Sequence, residues 1–535
     1  MLRIVMITTR IRPTLQAFTL CVLGCFFSLF ASAQTQNFQD KYPNGNVRSE
    51  GVYHRGFEDG LWKYYYENGT LQEETHYKMG KFHGSVKRYH PNGKLMVEGY
   101  FLNDKQDSIQ RTFTQDSVLV EEGFWNKGVK TGRWNYFFPK GDTMMVEEHR
   151  DSVMLLLTWV NAAGKKTVAL GNGVMEEFFE NGKLRMSTAY LEGLPHGNFI
   201  EYFSSGKVRV SGQFVKGLKD GTWKEYFPSG DLRKLTSYAN AQLSGPFEEY
   251  FSNGKLNVKG EHLEGKKSGY WKWYNEKGFV EMEGGFDSDI QHGDWIYWYA
   301  NGQKQYWGAF DHGKMHGTWQ YQYWGGEPWK SGNYHQGLKE GKWTFWFENG
   351  KVLMEGNFRN DLEEGLWISN YETGKLKDKG NYEKGKMKGA WEGFYPNGVR
   401  NYTGSWNGDV KTGAWSYWTD KGRPEKIETY DAKGALNGKA ETYNEAGKIV
   451  SKGAYKNGKP NGKWEYYFDF GGLMRTCAYK EGKLEGKSVI YAENGKIIEE
   501  CSYKNNKRHG EYTSYDAKTG KPILRQTYEN GVVVK

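Results

Sequence analysis

Apolar residues are scarce in this chain. They make up 37% of its 535 residues, whereas an ordinary soluble domain carries nearly half. Leucine, isoleucine and valine are too few for the thick interior of a helical bundle or a large α/β enzyme, and no heptad pattern marks a coiled coil. Beyond the N-terminal segment no apolar run approaches the ~18 residues that a membrane span needs. Only four cysteines are present, two of them in that first segment, so this is no disulfide-stapled scaffold. Charge of one sign is not in excess. The 73 Lys and Arg against 64 Asp and Glu leave a formal +9, scattered along the chain without the basic stripe that would suggest nucleic acid. What the chain does have is 70 Gly, 38 Tyr and 21 Trp. It has rings to cover a thin surface and glycines to turn often.

Residues 1–33 read as an export signal. Arg3, Arg10 and Arg12 form a basic start, an apolar run follows from about Leu15 to Phe30, and Ala31-Ser32-Ala33 offers the small residues a signal peptidase recognises. Cleavage is expected before Gln34, giving an exported protein that is periplasmic, outer-membrane-associated or extracellular. The alternative is a lipid anchor at Cys25, although Leu23 is bulky for a lipobox.

From there the chain is an internal repeat almost to its end. Take as anchor the first Gly of Gly-x-Trp, at Gly60, Gly84, Gly132, Gly173 and onward to Gly510. Nineteen frames follow, eighteen with Gly at the anchor and one with Ser108. The step is 24 residues, except for 41 between Gly132 and Gly173 and 25 between Gly413 and Gly438. Counting from the anchor, offset 9 is Gly in 17 frames, often after Asn, as in Asn68-Gly69, Asn253-Gly254 and Asn349-Gly350. Asn-Gly between aromatic segments predicts a two-residue type I′ hairpin turn at offsets 8 and 9. Offset 20 is Gly, Asp or Asn in most frames, which predicts a second turn of left-handed backbone.

A turn at offsets 8 and 9 pairs residues whose offsets sum to 17. Offset 2, Trp in 11 frames, then faces offset 15, Gly in 11 frames. Trp343 with Gly356 is one such pair; Trp223, facing Thr236, is an exception. The anchor faces an aromatic at offset 17, such as Phe358, and the ring is expected to lie across the anchor glycine. Offsets 6 and 11 share that face, and one aromatic column at offset 5 occupies the other. The expected fold is all-β: a repeat array of 24-residue antiparallel β-hairpins forming one long, curled, twisted single sheet. Its parts are the signal peptide 1–33, an array over 34–147, an insertion or junction over 148–172, and an array over 173–535.

The run from Asn349-Gly350 through Gly356, Phe358 and Gly365 to Trp367 resembles the MORN-repeat variant common in bacteria, whose relatives include the antitoxin-like YwqK family. The resemblance implies a scaffold for protein–protein interaction, and with no Gly-x-Ser-x-Gly, phosphate loop, His-Glu-x-x-His or dinucleotide fingerprint in the chain no enzyme is expected. Aromatic-platform binding of a glycan or the cell wall is the alternative; membrane-lipid binding and toxin neutralisation stand behind it. An unknown protein partner and end-to-end homodimerisation are expected, the latter because exposed sheet edges invite pairing.

Two irregularities stand out as sites. The insertion holds the greasy stretch Ser152–Val160 and reads as an extra hairpin. Ten of the 21 Trp lie between Trp271 and Trp346, and Trp298, Trp307, Trp324, Trp329 and Trp346 occupy offsets that the hairpin does not require to be Trp. These five are the candidate partner or ligand surface. No catalytic, cofactor-binding or metal-binding residue is assigned. His83, His196, His292, His316 and His509 precede anchors as polar turn residues, and equivalent sites in adjacent hairpins lie ~10 Å apart, too far to share a metal. The same spacing keeps Cys477 and Cys501, both at offset 15, from bonding.

Overall fold

The structure, a computed structural model, describes residues 35–534; the leader and Cys25 lie outside them. Among the described residues there are 44 strands and no helix, hence none long and apolar enough to cross a membrane. The chain divides into two compact units. The first runs to Leu256 and includes His262–Lys266; the second holds Asn257–Glu261 and Lys267 onward. Each is an antiparallel meander in which a strand pairs with its chain neighbours, and neither closes into a barrel.

The hairpin anchored at Gly341, in the second unit, shows how the sequence builds a repeat. Its strands are Leu338–Trp346 and Val352–Arg359. Gly341 faces Phe358 and Trp343 faces Gly356, as the offset sum requires. The turn differs from expectation. Phe347 and Gly350 close it, the Gly350 N–H donating to the Phe347 carbonyl at 2.9 Å, and only Gly350, at φ +77°, is left-handed. This is a type I turn followed by a glycine bulge, the three-residue alternative to type I′. Asn is selected there because its Oδ1 accepts the Lys351 N–H at 3.0 Å while its Nδ2 reaches the Glu372 carbonyl of the next hairpin at 2.9 Å. The bulge shifts the register by one between Phe345 and Trp346, so that Trp346 faces Val352. Offset 11 therefore shares a face with offset 5, not with the tryptophans of offset 2. The true type I′ turn is the second one, with both residues left-handed: Asn360 and Asp361 at φ 50° and 65°, His312 and Gly313 at 47° and 77°.

The two glycine columns serve different ends. All eighteen anchor glycines take positive φ, between 63° and 138°. At Gly341 a Cβ would meet nothing within 4 Å, so no ring lies across it, contrary to the sequence expectation. The anchor is a backbone device. Gly332 faces Trp343, yet its neighbour Asn333 faces Glu340, which leaves Gly341 and Lys342 as a bulge. The Trp343 indole N–H donates to the Asn333 carbonyl beside that break, at 3.1 Å. Offset 15 is a packing device. A Cβ on Gly332 would lie 2.2 Å from Trp343 Cδ2, and a like clash recurs from Gly51 under Trp62 to Gly453 under Trp464, except at Gly99, where the residue eleven on is Gln110. The ring that covers the glycine thus belongs to the following hairpin, eleven residues on, rather than to the hairpin's own Trp.

These tryptophans are the core: Trp134, Trp319 and Trp343 are fully buried. In the second unit they alternate with the offset-17 rings edge to face. Tyr334 meets Trp343 at 5.1 Å, Trp343 meets Phe358 at 6.0 Å, and Phe358 meets Trp367 at 5.1 Å. Such pairs contribute about 0.5–1.5 kcal/mol beyond their burial. A lysine two residues before the anchor often lies over the ring, as Lys219 does over Trp223 at 4.2 Å.

Both breaks in the period stay in the sheet. The insertion, in the first unit, is an extra hairpin of Val153–Val160 and a shortened return strand, Lys166–Ala169. The 25-residue step is absorbed where the second turn, Asp431 to Ala435, uses the type I turn with a bulge glycine, Gly434, in place of type I′.

Candidate functional site

Most aromatic side chains are consumed by the repeat itself. The offset-6 tyrosines tie one hairpin to the next: Tyr323 donates to the Trp346 carbonyl and Tyr371 to the Phe394 carbonyl, at 2.8 and 2.7 Å. At offset 4, Tyr321 meets the Tyr334 hydroxyl at 3.4 Å, and burial pushes the pKa of both phenols above its ordinary value. Cys477 and Cys501 are free and buried, filling the offset-15 column in place of Gly, and burial pushes both thiols up.

The five off-pattern tryptophans all lie in the second unit, and they do not converge on one spot. Trp298 and Trp307 are half-buried on either side of Lys304, whose ammonium stands 5.7 and 5.1 Å from their rings. The Trp298 indole N–H is shielded from solvent and has no acceptor. Trp324 is 57% exposed and leans on Tyr299 at 5.1 Å. Trp329 is 43% exposed and packs by its edge on Tyr321, 6.1 Å away. Lys330 lies over both Tyr321 and Trp329, at 4.3 and 4.5 Å, and burial lowers its pKa, with Lys339 adding to the effect. Trp346 is half-buried, and its carbonyl takes the Tyr323 hydroxyl. Trp324 and Trp329 therefore offer ring surface to a partner, whereas Trp298, Trp307 and Trp346 are partly absorbed into the sheet.

Two open concavities, of about 560 and about 270 Å³, are lined around Tyr395 and Asp420 and around Arg209 and Trp223 respectively; none of the five tryptophans lines either. Sequence reasoning passed over one cluster. His292, Asp311 and His312 bring a ligand atom each within 4.8 Å of one another. Equivalent positions in adjacent hairpins lie too far apart to share an ion, but these three come from a single hairpin. The available signal was His at offset −1 together with Asp-His at offsets 18 and 19.

Eight segments match the family described as MORN repeat variant: residues 58–79, 82–103, 172–190, 219–240, 339–360, 363–384, 436–457 and 484–505. All but the match at 172–190 start two residues before an anchor glycine and end in a second turn, so that one match is one hairpin. The match identifies the repeat and no narrower subfamily. No curated protein matches the chain. Among solved structures, the TcdB2-TccC3 complex is 10% identical with a TM-score of 0.13, covering 94% of this chain and 34% of that one. The Tc holotoxin pore of Photorhabdus luminescens is 10% identical with a TM-score of 0.12, covering 92% and 29%. The chain spans about a third of the length of these solved chains, and a likeness this weak carries no argument about architecture or activity.

Proposed function

Because this chain is a MORN-repeat protein of the variant type, we propose that it is an exported, non-enzymatic scaffold of the bacterial cell envelope that binds another protein. The observation that carries this reading is the contrast between two sets of tryptophans. Those of the repeat, such as Trp319 and Trp343, are fully buried, whereas Trp324 and Trp329 leave 57% and 43% of their surface in water. Large rings that a fold does not need and does not cover are the anchors on which protein interfaces concentrate their energy. A flat exposed ring also suits sugar stacking, and Trp324 is the feature that favours the glycan reading as the second choice.

The test is affinity capture from the native envelope fraction with the mature chain and a Trp324→Ala/Trp329→Ala variant of unchanged circular dichroism. Loss of a specific protein in the variant supports the scaffold reading. Loss of cosedimentation with isolated cell-wall glycan, with protein capture intact, replaces it by the glycan reading. Equal capture by both chains in both assays removes these rings from the site. Fractionation with N-terminal sequencing tests export, for which the expected mature start is Gln34.

A further inference from the structure

We propose that His292, Asp311 and His312 form a binding site for one divalent transition ion of the zinc, copper or nickel type. The residue just before the anchor has an ordinary task in other hairpins: it accepts the backbone N–H at offset 19 of its own hairpin. Asp59 takes the Met79 N–H at 3.1 Å, Glu340 that of Asn360 at 3.1 Å, and Glu485 that of Asn505 at 2.9 Å. In the hairpin of Ile290–Trp298 and Lys304–Asp311 this residue is His292, and His312 stands at the first position of the type I′ turn. No other frame carries a histidine there.

Register brings the three donors together. Gly293 faces Phe310, so His292 and Asp311 follow as the next cross-strand neighbours, and His312 enters the turn directly after. Asp311 Oδ1 lies 2.7 Å from His312 Nδ1 and 3.9 Å from His292 Nδ1, and the two imidazole rings are 5.6 Å apart. An ion ~2.0–2.2 Å from each donor requires donors within about 4 Å of one another. The 3.9 Å separation already satisfies that; the 2.7 Å one is a hydrogen bond between Asp311 and His312, which the ion would replace as the two donors part to ~3.3 Å. The histidine side chains are 52% and 79% exposed, free to rotate for the third and open to water in the remaining positions. Two imidazoles and one carboxylate suit zinc, copper or nickel; calcium and magnesium prefer all-oxygen sets. The adjacent hairpin pairs His316 with His335, rings 5.7 Å apart, which supplies a natural comparison on the same edge.

Isothermal titration of Zn²⁺ into the tag-free chain tests the site. The expected result is one ion per chain for the wild type, loss of that binding in His292→Ala/His312→Ala, weakening in Asp311→Asn, and retention in His316→Ala/His335→Ala, with circular dichroism unchanged throughout. Should the double variant fail to fold, Asp311→Asn decides alone. The proposal falls if the wild type binds no ion, if the His292/His312 variant (or, where that does not fold, Asp311→Asn) binds undiminished, or if the His316/His335 variant is the one that loses binding. Its failure leaves the scaffold reading untouched, since Trp324 and Trp329 take no part in it.

Discussion

Two glycines in neighbouring columns are conserved in type along this chain for unrelated physical reasons, and substitution separates them. Gly332→Ala drives a Cβ into the Trp343 ring, 2.2 Å from Cδ2, and overpacking of this kind costs about 1–3 kcal/mol. Gly341→Ala has open space around its Cβ but sits at φ +71°, which costs about 1–2 kcal/mol for an L-residue. Only the first is relieved by shrinking the ring. Thr75 under Val86 occupies the same pair of positions, opposite each other in the register, so Gly332→Thr with Trp343→Val is expected to be less unstable than the two single changes summed. Urea melts of the four chains measure that coupling, and strict additivity would refute it. Acid stability has its own residue. Glu465 accepts hydrogen bonds from Lys452, Lys463 and Tyr467, which hold its carboxyl at about 2 instead of 4.5. Its folded pKa is depressed, so its contribution is fully present above pH 4.5 and is lost as pH falls from there through 2. Glu465→Gln is expected to flatten the fall in stability over that window; an unchanged slope would assign the fall to other groups.

At the scale of the hairpin, turn chemistry decides what length changes the array accepts. The step from Gly413 to Gly438 gains one residue by exchanging a type I′ turn for a type I turn with a bulge glycine. A glycine inserted between Asp361 and Leu362 copies that exchange and should leave the fold and most of the stability in place. The same insertion between Trp343 and Thr344 turns every later side chain of its strand to the opposite face, exposing rings and burying charge. Near-ultraviolet circular dichroism, dominated here by packed tryptophans, should keep its signal in the first variant and lose part of it in the second.

At the scale of the whole molecule, the described hairpins within each unit pack mainly on their chain neighbours, and stability is a sum of local terms. Removal of one full period, Gly341–Glu364, joins Glu340 to Gly365 in the same register. It should give a folded protein with a smaller denaturant slope, because less surface is exposed on unfolding. Removal of 23 residues, Gly341–Glu363, leaves one residue too many before the anchor and should cost far more stability. Equal midpoints for the two deletions would contradict the neighbour-by-neighbour picture.

The sequence by itself determined the all-β repeat, the hairpin boundaries and the facing pairs over most of each strand, because these follow from a period, and a period is visible in one dimension. The pairing of Trp343 with Gly356 and of Gly341 with Phe358 needed nothing more than counting. Tertiary structure alone decided which of the two turns was type I′, which hairpin's ring covers Gly332, and that offset 11 shares a face with offset 5. Each of these depends on a bulge, and a bulge shifts pairing by a residue without altering the spacing of the letters. The candidate sites divide in the same way. The five unneeded tryptophans stood out by their offsets, yet only burial could separate Trp324 and Trp329 from the three partly absorbed into the sheet. His292 and His312 are twenty positions apart in the chain, and only the closure of their hairpin makes them neighbours.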